Sequence, residues 1–149
     1  MKTIKKVLCV CMGNTCRSPM MQVILQWLLG DEYCVESAGS NMQFAEQGQP
    51  ANEFSILCMK ERGIDLTGHV SQWIGDLDLP SYSHIVCVDD SVAQMVKLHL
   101  GPKQTTIVLI ANEENGGVPN PWEKGLPAYR ECLALLDKVM PKIAEEIRR

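Results

Sequence analysis

The sequence predicts an α/β fold: a single-domain, four-stranded parallel sheet with helices on both faces. Three observations predict it. Short apolar runs alternate with longer helical ones along the chain, in the order strand then helix, four times over. The run "SHIVCV" at 83–88 is entirely apolar at its centre, as in a strand covered on both sides. No internal repeat or linker divides the 149 residues, a length that suits one core.

The elements follow in order. "IKKVLCV" at 4–10 reads as a buried first strand. "SPMMQVILQWLL" at 18–29 is helical, with Ser18 as cap, Pro19 in the first turn and Gly30 as the stop. "YCVESAG" is a second short strand, and "PANEFSILCMKERG" at 50–63 is a helix closed by Gly63. After the third strand, "DSVAQMVKLHLG" is helical, and "TTIVLI", rich in β-branched residues, is the fourth strand. Residues 111–126 read as a loop because of Asn115, Gly116, Gly117, Pro119, Pro121 and Gly125. From Pro127 a last helix runs nearly to Arg149, and Pro141 is expected to kink or split it.

Hydrophobic residues make up 46% of the chain, and there is no low-complexity tract, so it should fold on its own. The formal net charge of −4 argues against nucleic acid or an anionic membrane as the main partner, since both need a basic face. It leaves room for a small local anion site. The apolar run in "MKTIKKVLCV" is too short for a signal peptide, and no stretch approaches a membrane span. Seven cysteines, an odd number without a secretion signal, fit a reducing cytoplasm better than a disulfide framework. Cys9, Cys34, Cys58, Cys87 and Cys132 lie among apolar residues and read as small core hydrophobes.

The chemistry concentrates in "VCMGNTCRSP", which joins the first strand to the first helix. In a parallel sheet the ligand site lies beyond the carboxyl ends of the strands, where strand order reverses, and this loop falls there. Backbone N–H groups of Met12, Gly13, Asn14, Thr15, Cys16 and Arg17 can line a concave nest for an anion, with the helix N-terminus behind them. Gly13 is expected to supply a backbone conformation that other residues resist. Arg17 offers a flat fork that matches two phosphate oxygens. Cys11 opens the cradle and feels its positive field, which favours a thiolate nucleophile. Ser18 can hydrogen-bond that thiolate and stabilise it as a leaving group. A Walker-type loop would need Gly-Lys-Ser/Thr, which is absent. Zinc on Cys9, Cys11 and Cys16 would lack a standard ligand spacing and a following His pair. No metal or cofactor is expected.

"VCMGNTCRSP" closely resembles the signature of the low-molecular-weight protein tyrosine phosphatases, and the resemblance extends through "ESAGS", "GIDLTGH" and "VPNPW". It implies the phosphotyrosine protein phosphatase I-like fold and metal-free hydrolysis of phosphate esters on phosphorylated proteins. By matching position, it makes Cys11 the nucleophile and Arg17 the phosphate clamp. Asn14 and Ser18 would hold the loop and the thiolate, with Ser37 and His69 in supporting hydrogen bonds. Cys16 matches a second loop cysteine that in this family forms a protective disulfide with the nucleophile.

Three departures bear on activity. The family pattern carries aspartate where this chain has Asn120, and an asparagine amide cannot usefully donate a proton to a leaving group. The chain then reads as a slow phosphatase or as a phosphate-binding protein with negligible turnover; Glu113, Glu114 and Glu123 lie nearby in sequence as substitutes. Trp122 follows in the position of an aromatic pocket wall, and Met42 or Phe44 takes the opposite wall. Thr15 stands where tyrosine-directed members tend to carry a larger aliphatic residue and protein-arginine phosphatases carry threonine, which keeps that alternative open. A thioredoxin-coupled arsenate reductase shares the loop, but would need two further relay cysteines, and none occupies 75–86.

Overall fold

A computed structural model describes residues 3–45, 48–102 and 104–149. Four strands, β1 (Lys5–Cys11), β2 (Tyr33–Gly39), β3 (His84–Cys87) and β4 (Ile107–Ile110), form one sheet in the order β2-β1-β3-β4. Every neighbouring pair is parallel. Four helices connect or follow them: α1 (Arg17–Leu29), α2 (Glu53–Lys60), α3 (Asp90–Leu100) and α4 (Leu126–Arg148). Short 3-10 turns occupy Ile74–Asp76, Leu79–Ser81 and Glu113–Asn115.

The central strands explain their own position. Val7, Leu8, Cys9 and Val10 are fully buried, as are Ile85, Val86 and Cys87, so β1 and β3 take the middle of the sheet. Helices α1, α2 and α4 pack on one another, with α1 also against β1 and β2, while α3 packs on β3 and β4. The chain steps from β1 to β2 on one side, then crosses to β3 on the other. That reversal puts the carboxyl end of β1 at the switch point of the sheet.

Three local expectations are corrected. Ser18 does not cap α1: the helix starts one residue earlier, and Cys16 precedes it with no side-chain cap. Pro141 does not split the last helix, which runs unbroken from Leu126 to Arg148. Pro141 sits on its exposed side, where the carbonyl left without an N–H partner can meet water, while Met140, Ile143 and Ala144 stay buried. Cys34 is exposed rather than in the core, because it lies near the amino end of β2, where the edge strand meets solvent.

Candidate active site

At the carboxyl end of the sheet lies a cleft of about 230 Å³, lined by Cys11, Met12, Gly13, Thr15, Cys16 and Arg17 after β1, Phe44 after β2, and Asn120 and Trp122 after β4. Cys11 is the last residue of β1, so the rigid centre of the sheet fixes its sulfur. Residues 12–16 then turn into α1, whose first-turn N–H groups have no partner within the helix and face the site with the positive helix end.

The turn depends on Asn14, not on Gly13. Asn14 takes the left-handed conformation, φ 57°, which asparagine tolerates better than most residues. Gly13 has no such conformation; its role is packing, because a Cβ there would come within 3.3 Å of the Phe44 carbonyl oxygen. The left-handed turn aims the Asn14 backbone N–H at Cys11 Sγ, 3.2 Å away. Ser18 Oγ lies 3.1 Å from the same sulfur. The buried Asn14 side chain donates from Nδ2 to Ser18 Oγ (2.8 Å) and to Ser37 Oγ (3.0 Å). Its Oδ1 accepts from the Gln72 N–H at 2.9 Å.

His69 closes this arrangement from outside, with Nε2 at 2.7 Å from the Asn14 carbonyl oxygen. Burial pushes its pKa below the ordinary histidine value, and the hydrogen bond to Asn14 pulls the other way. A carbonyl only accepts, so Nε2 carries the proton. Asn14 therefore contacts Cys11, Ser18, Ser37, His69 and Gln72 at once.

Arg17 is almost fully buried. One terminal nitrogen donates to the Val118 carbonyl oxygen at 2.7 Å and lies 3.8 Å from an Asp89 carboxylate oxygen. Its Nε is buried and has no partner. An unpaired, charged donor of this kind is expensive unless an acceptor completes it, and a phosphoryl oxygen in the cleft would do so. Asp89 is itself fixed, since it accepts from the Val92 N–H at the start of α3. Val118 is placed by Gly117 (φ 101°), where a Cβ would come within 2.4 Å of the Val88 carbonyl oxygen.

Cys16 points into the fold as well as the cleft, with its sulfur 3.2 Å from the Tyr129 hydroxyl. Burial pushes its thiol pKa up, opposed in part by hydrogen bonds from Tyr129 and Thr15. Both loop cysteines are free thiols. Of the two opposite-wall candidates, Phe44 lines the cleft and Met42 does not. Trp122 lines it too, and with Phe44 gives two exposed aromatic walls. Asn120 is at the rim, its Oδ1 accepting from the Trp122 N–H at 3.2 Å. Among the described residues lining the cleft there is no carboxylate; Glu113, Glu114 and Glu123 lie outside it. Sequence reasoning missed Gln72, Val118 and Asp89, which act across long separations. It also missed Gln22, which accepts from the Ser37 hydroxyl at 2.6 Å and whose signal was a polar residue inside the apolar run "MMQVIL".

A family model described as low molecular weight phosphotyrosine protein phosphatase matches residues 6–149. A probable low molecular weight protein-tyrosine-phosphatase, EpsP, of Ralstonia nicotianae is 29% identical over 145 residues, covering 97% of each chain. A protein-arginine-phosphatase of Geobacillus stearothermophilus is 27% identical, covering 96% of each. Among solved structures, Vibrio vulnificus Wzb in complex with benzylphosphonate superposes with a TM-score of 0.84 at 25% identity, covering 96% of this chain and 99% of that one.

Proposed function

Because the chain belongs to the low molecular weight phosphotyrosine protein phosphatase family, we propose that it hydrolyses phosphomonoesters on proteins through a phosphocysteine on Cys11. One observation carries this reading: Cys11 and the partnerless, buried Nε of Arg17 meet at one cleft. Arg17 and the first-turn N–H groups of α1 hold the non-bridging phosphoryl oxygens. The Cys11 thiolate attacks phosphorus, the S–P bond forms, and the bond to the leaving oxygen breaks. Water then attacks the phosphocysteine, releasing inorganic phosphate and the thiolate. The donors at Cys11, the Asn14 N–H and Ser18 hydroxyl, stabilise that thiolate before attack and as the second leaving group.

Asn120 stands at the rim, where the leaving oxygen departs, and supplies no proton. Turnover is accordingly slow, by roughly the 10²–10⁴-fold that general acid–base help contributes. The aromatic walls Phe44 and Trp122 suit a phenyl ring, which favours phosphotyrosine. Thr15 also lines the cleft, and its hydroxyl favours the second reading, a phosphoarginine substrate. A free-thiol nucleophile suits a reducing compartment, and we assign the protein to the cytoplasm on that ground. Among the described residues no helix is long and apolar enough to cross a membrane.

The test is incubation with a phosphotyrosine peptide and a phosphoarginine peptide, with phosphate release and intact mass followed together. Phosphate release from the phosphotyrosine peptide with a transient phosphoryl adduct on Cys11 is expected. Preference for the phosphoarginine peptide transfers the assignment to the second reading. No release and no adduct with either overturns hydrolysis altogether.

A further inference from the structure

Ala128, Glu131, Cys132 and Leu135 recur at three- and four-residue spacing, so they form one face of α4. That face and the loop residues Pro119, Asn120, Pro121 and Lys124 enclose a groove of about 260 Å³. Asn120 lines this groove and the cleft alike, so it is the divider between them. We propose that the groove is a substrate subsite: with phosphotyrosine in the cleft, a reading on which this assignment rests, it takes a neutral aliphatic side chain two residues along the same peptide.

The lining sets the chemistry. Pro121 and Cys132 are buried and close the floor, while Pro119, Lys124 and Glu131 are exposed and leave the mouth open. Sites that enclose a whole small molecule run to roughly 300–1,000 Å³, so this groove suits a single side chain. Its apolar surface comes from two prolines, an alanine, a leucine and a cysteine, and among the described residues that line it there is no aromatic ring. The cleft, by contrast, has Phe44 and Trp122. The two cavities therefore select differently, a ring in one and a compact aliphatic group in the other. Lys124 and Glu131 bring one charge of each sign to the groove, so neither an acid nor a base is favoured there. Proline fixes φ, so the loop wall is preformed and binding has little to order.

An extended peptide fits the spacing. Its alternate side chains point to the same face and lie roughly 6.5–7 Å apart, with the one between them turned away. That step spans a divider one residue wide. Asn120 is exposed, and its Oδ1 is taken by the Trp122 N–H. Its Nδ2 makes no hydrogen bond to another described residue and can donate to a backbone carbonyl of a peptide that crosses the divider. An aspartate carboxylate at this position would have no such donor.

The experiment measures binding by calorimetry to the Cys11→Ser protein, which holds a phosphopeptide without turning it over. The probes are acetyl-phosphotyrosine amide and peptides with phosphotyrosine between two pairs of alanines. The outer alanine on either side is replaced in turn by leucine, aspartate or lysine. Leucine at one outer position should tighten binding by roughly 5–20-fold over alanine, as burial of its extra methylenes predicts. Aspartate or lysine there should change binding by no more than roughly 2-fold. Ala128→Phe fills the groove, and should abolish the leucine gain while leaving the affinity of acetyl-phosphotyrosine amide within roughly 2-fold. Equal affinity of the leucine and alanine peptides at both outer positions overturns the subsite. So does a lysine or aspartate peptide that binds more tightly than leucine, or a leucine gain that survives Ala128→Phe. Phosphate release by the parent protein without any leucine gain sinks the subsite alone. Failure of every peptide and of the amide to bind overturns the phosphotyrosine reading, and the subsite with it. If Ala128→Phe does not fold by circular dichroism, Leu135→Gln turns the groove wall polar and carries the same expectation.

Discussion

At the scale of single residues, the proposed function turns on Arg17 as the oxyanion clamp and on Asn120 at the rim, both of which line the cleft. Arg17 presents a terminal nitrogen already bound to Val118 and an Nε with no partner. Lysine would keep the charge but lose the fork. Arg17→Lys should therefore weaken vanadate or phosphate binding by roughly 10–100-fold, the worth of one to two charge-assisted hydrogen bonds, with the thermal unfolding profile of the free protein little altered. Unchanged oxyanion affinity by calorimetry would remove the clamp role. Asn120 makes a different prediction. Asn120→Asp restores a proton donor at the rim, and the gain should follow the leaving group. Nitrophenolate leaves readily unaided, so its single-turnover release should change little. A tyrosine phenolate, with a pKa near ~10, should gain far more, up to roughly the 10²–10⁴-fold of general acid catalysis. Equal gains for both, or none, would show that this position is not where the proton is delivered. That Cys11, Arg17 and Asn120 share one cleft was legible in the sequence, because short motifs after strands carry all three. The partners of Arg17 were not: Val118 is 101 residues away, and only the folded sheet brings it near.

At the scale of elements, the loops rather than the strands and helices carry the information the sequence hid. Strands β1 to β4 and helices α1 to α4 follow from local periodicity, and each falls near its expected place. Ser18 was misread because a serine before a proline at a helix start usually caps; here the turn begins earlier and frees its hydroxyl for Cys11. The left-handed residue was misplaced by one position, since glycine is the usual choice and Asn14 takes it instead. Pro141 does not split α4, because the helix tolerates proline where the orphaned carbonyl faces water. The loop from β4 to α4 yields its own prediction. Gly117 holds a left-handed conformation with no room for a Cβ beside the Val88 carbonyl, and the next residue supplies the carbonyl that accepts from Arg17. Gly117→Ala should lower stability by about 1–3 kcal/mol and weaken vanadate binding through displacement of Val118. Urea unfolding and calorimetry check the two effects. A variant as stable as the parent, or one that loses stability yet binds vanadate unchanged, would show that this loop does not set the Arg17 geometry.

At the scale of the whole molecule, the parallel sheet does two things with one arrangement. It gathers the loops after its four strands at one end, and it buries the middle strands on both faces, thiols included. Cys9 and Cys87 sit on the neighbouring strands β1 and β3, paired with Val86 and Val10, with no exposed surface, and Cys132 is nearly as deep on α4. Burial pushes the Cys87 and Cys132 thiols each up to about 12, and the Cys9 thiol further in the same direction. In the unfolded chain the same thiols titrate near ~8.5. The folded pKa is the higher one, so the stability these groups contribute is complete below about pH 8.5 and declines as pH rises toward 12. Each thiol still protonated in the fold and ionised in the unfolded chain costs about 1.4 kcal/mol per pH unit in that window. Histidine acts on the other side. Burial lowers His69 and His84 below the ordinary ~6.5, so their contribution is complete above that pH and declines as pH falls through the folded values. Stability should therefore peak between about pH 6.5 and 8.5 and fall more steeply on the alkaline side, where more buried groups titrate together. Urea midpoints in a reducing buffer across pH 5 to 10 measure this, with Cys132→Ala as the control. That variant starts lower, because it leaves a cavity, but its alkaline slope should be shallower by the share of one thiol. A parent curve flat to pH 10, or a Cys132→Ala curve parallel to the parent's above about pH 9, would show that the buried thiols do not govern the alkaline limit.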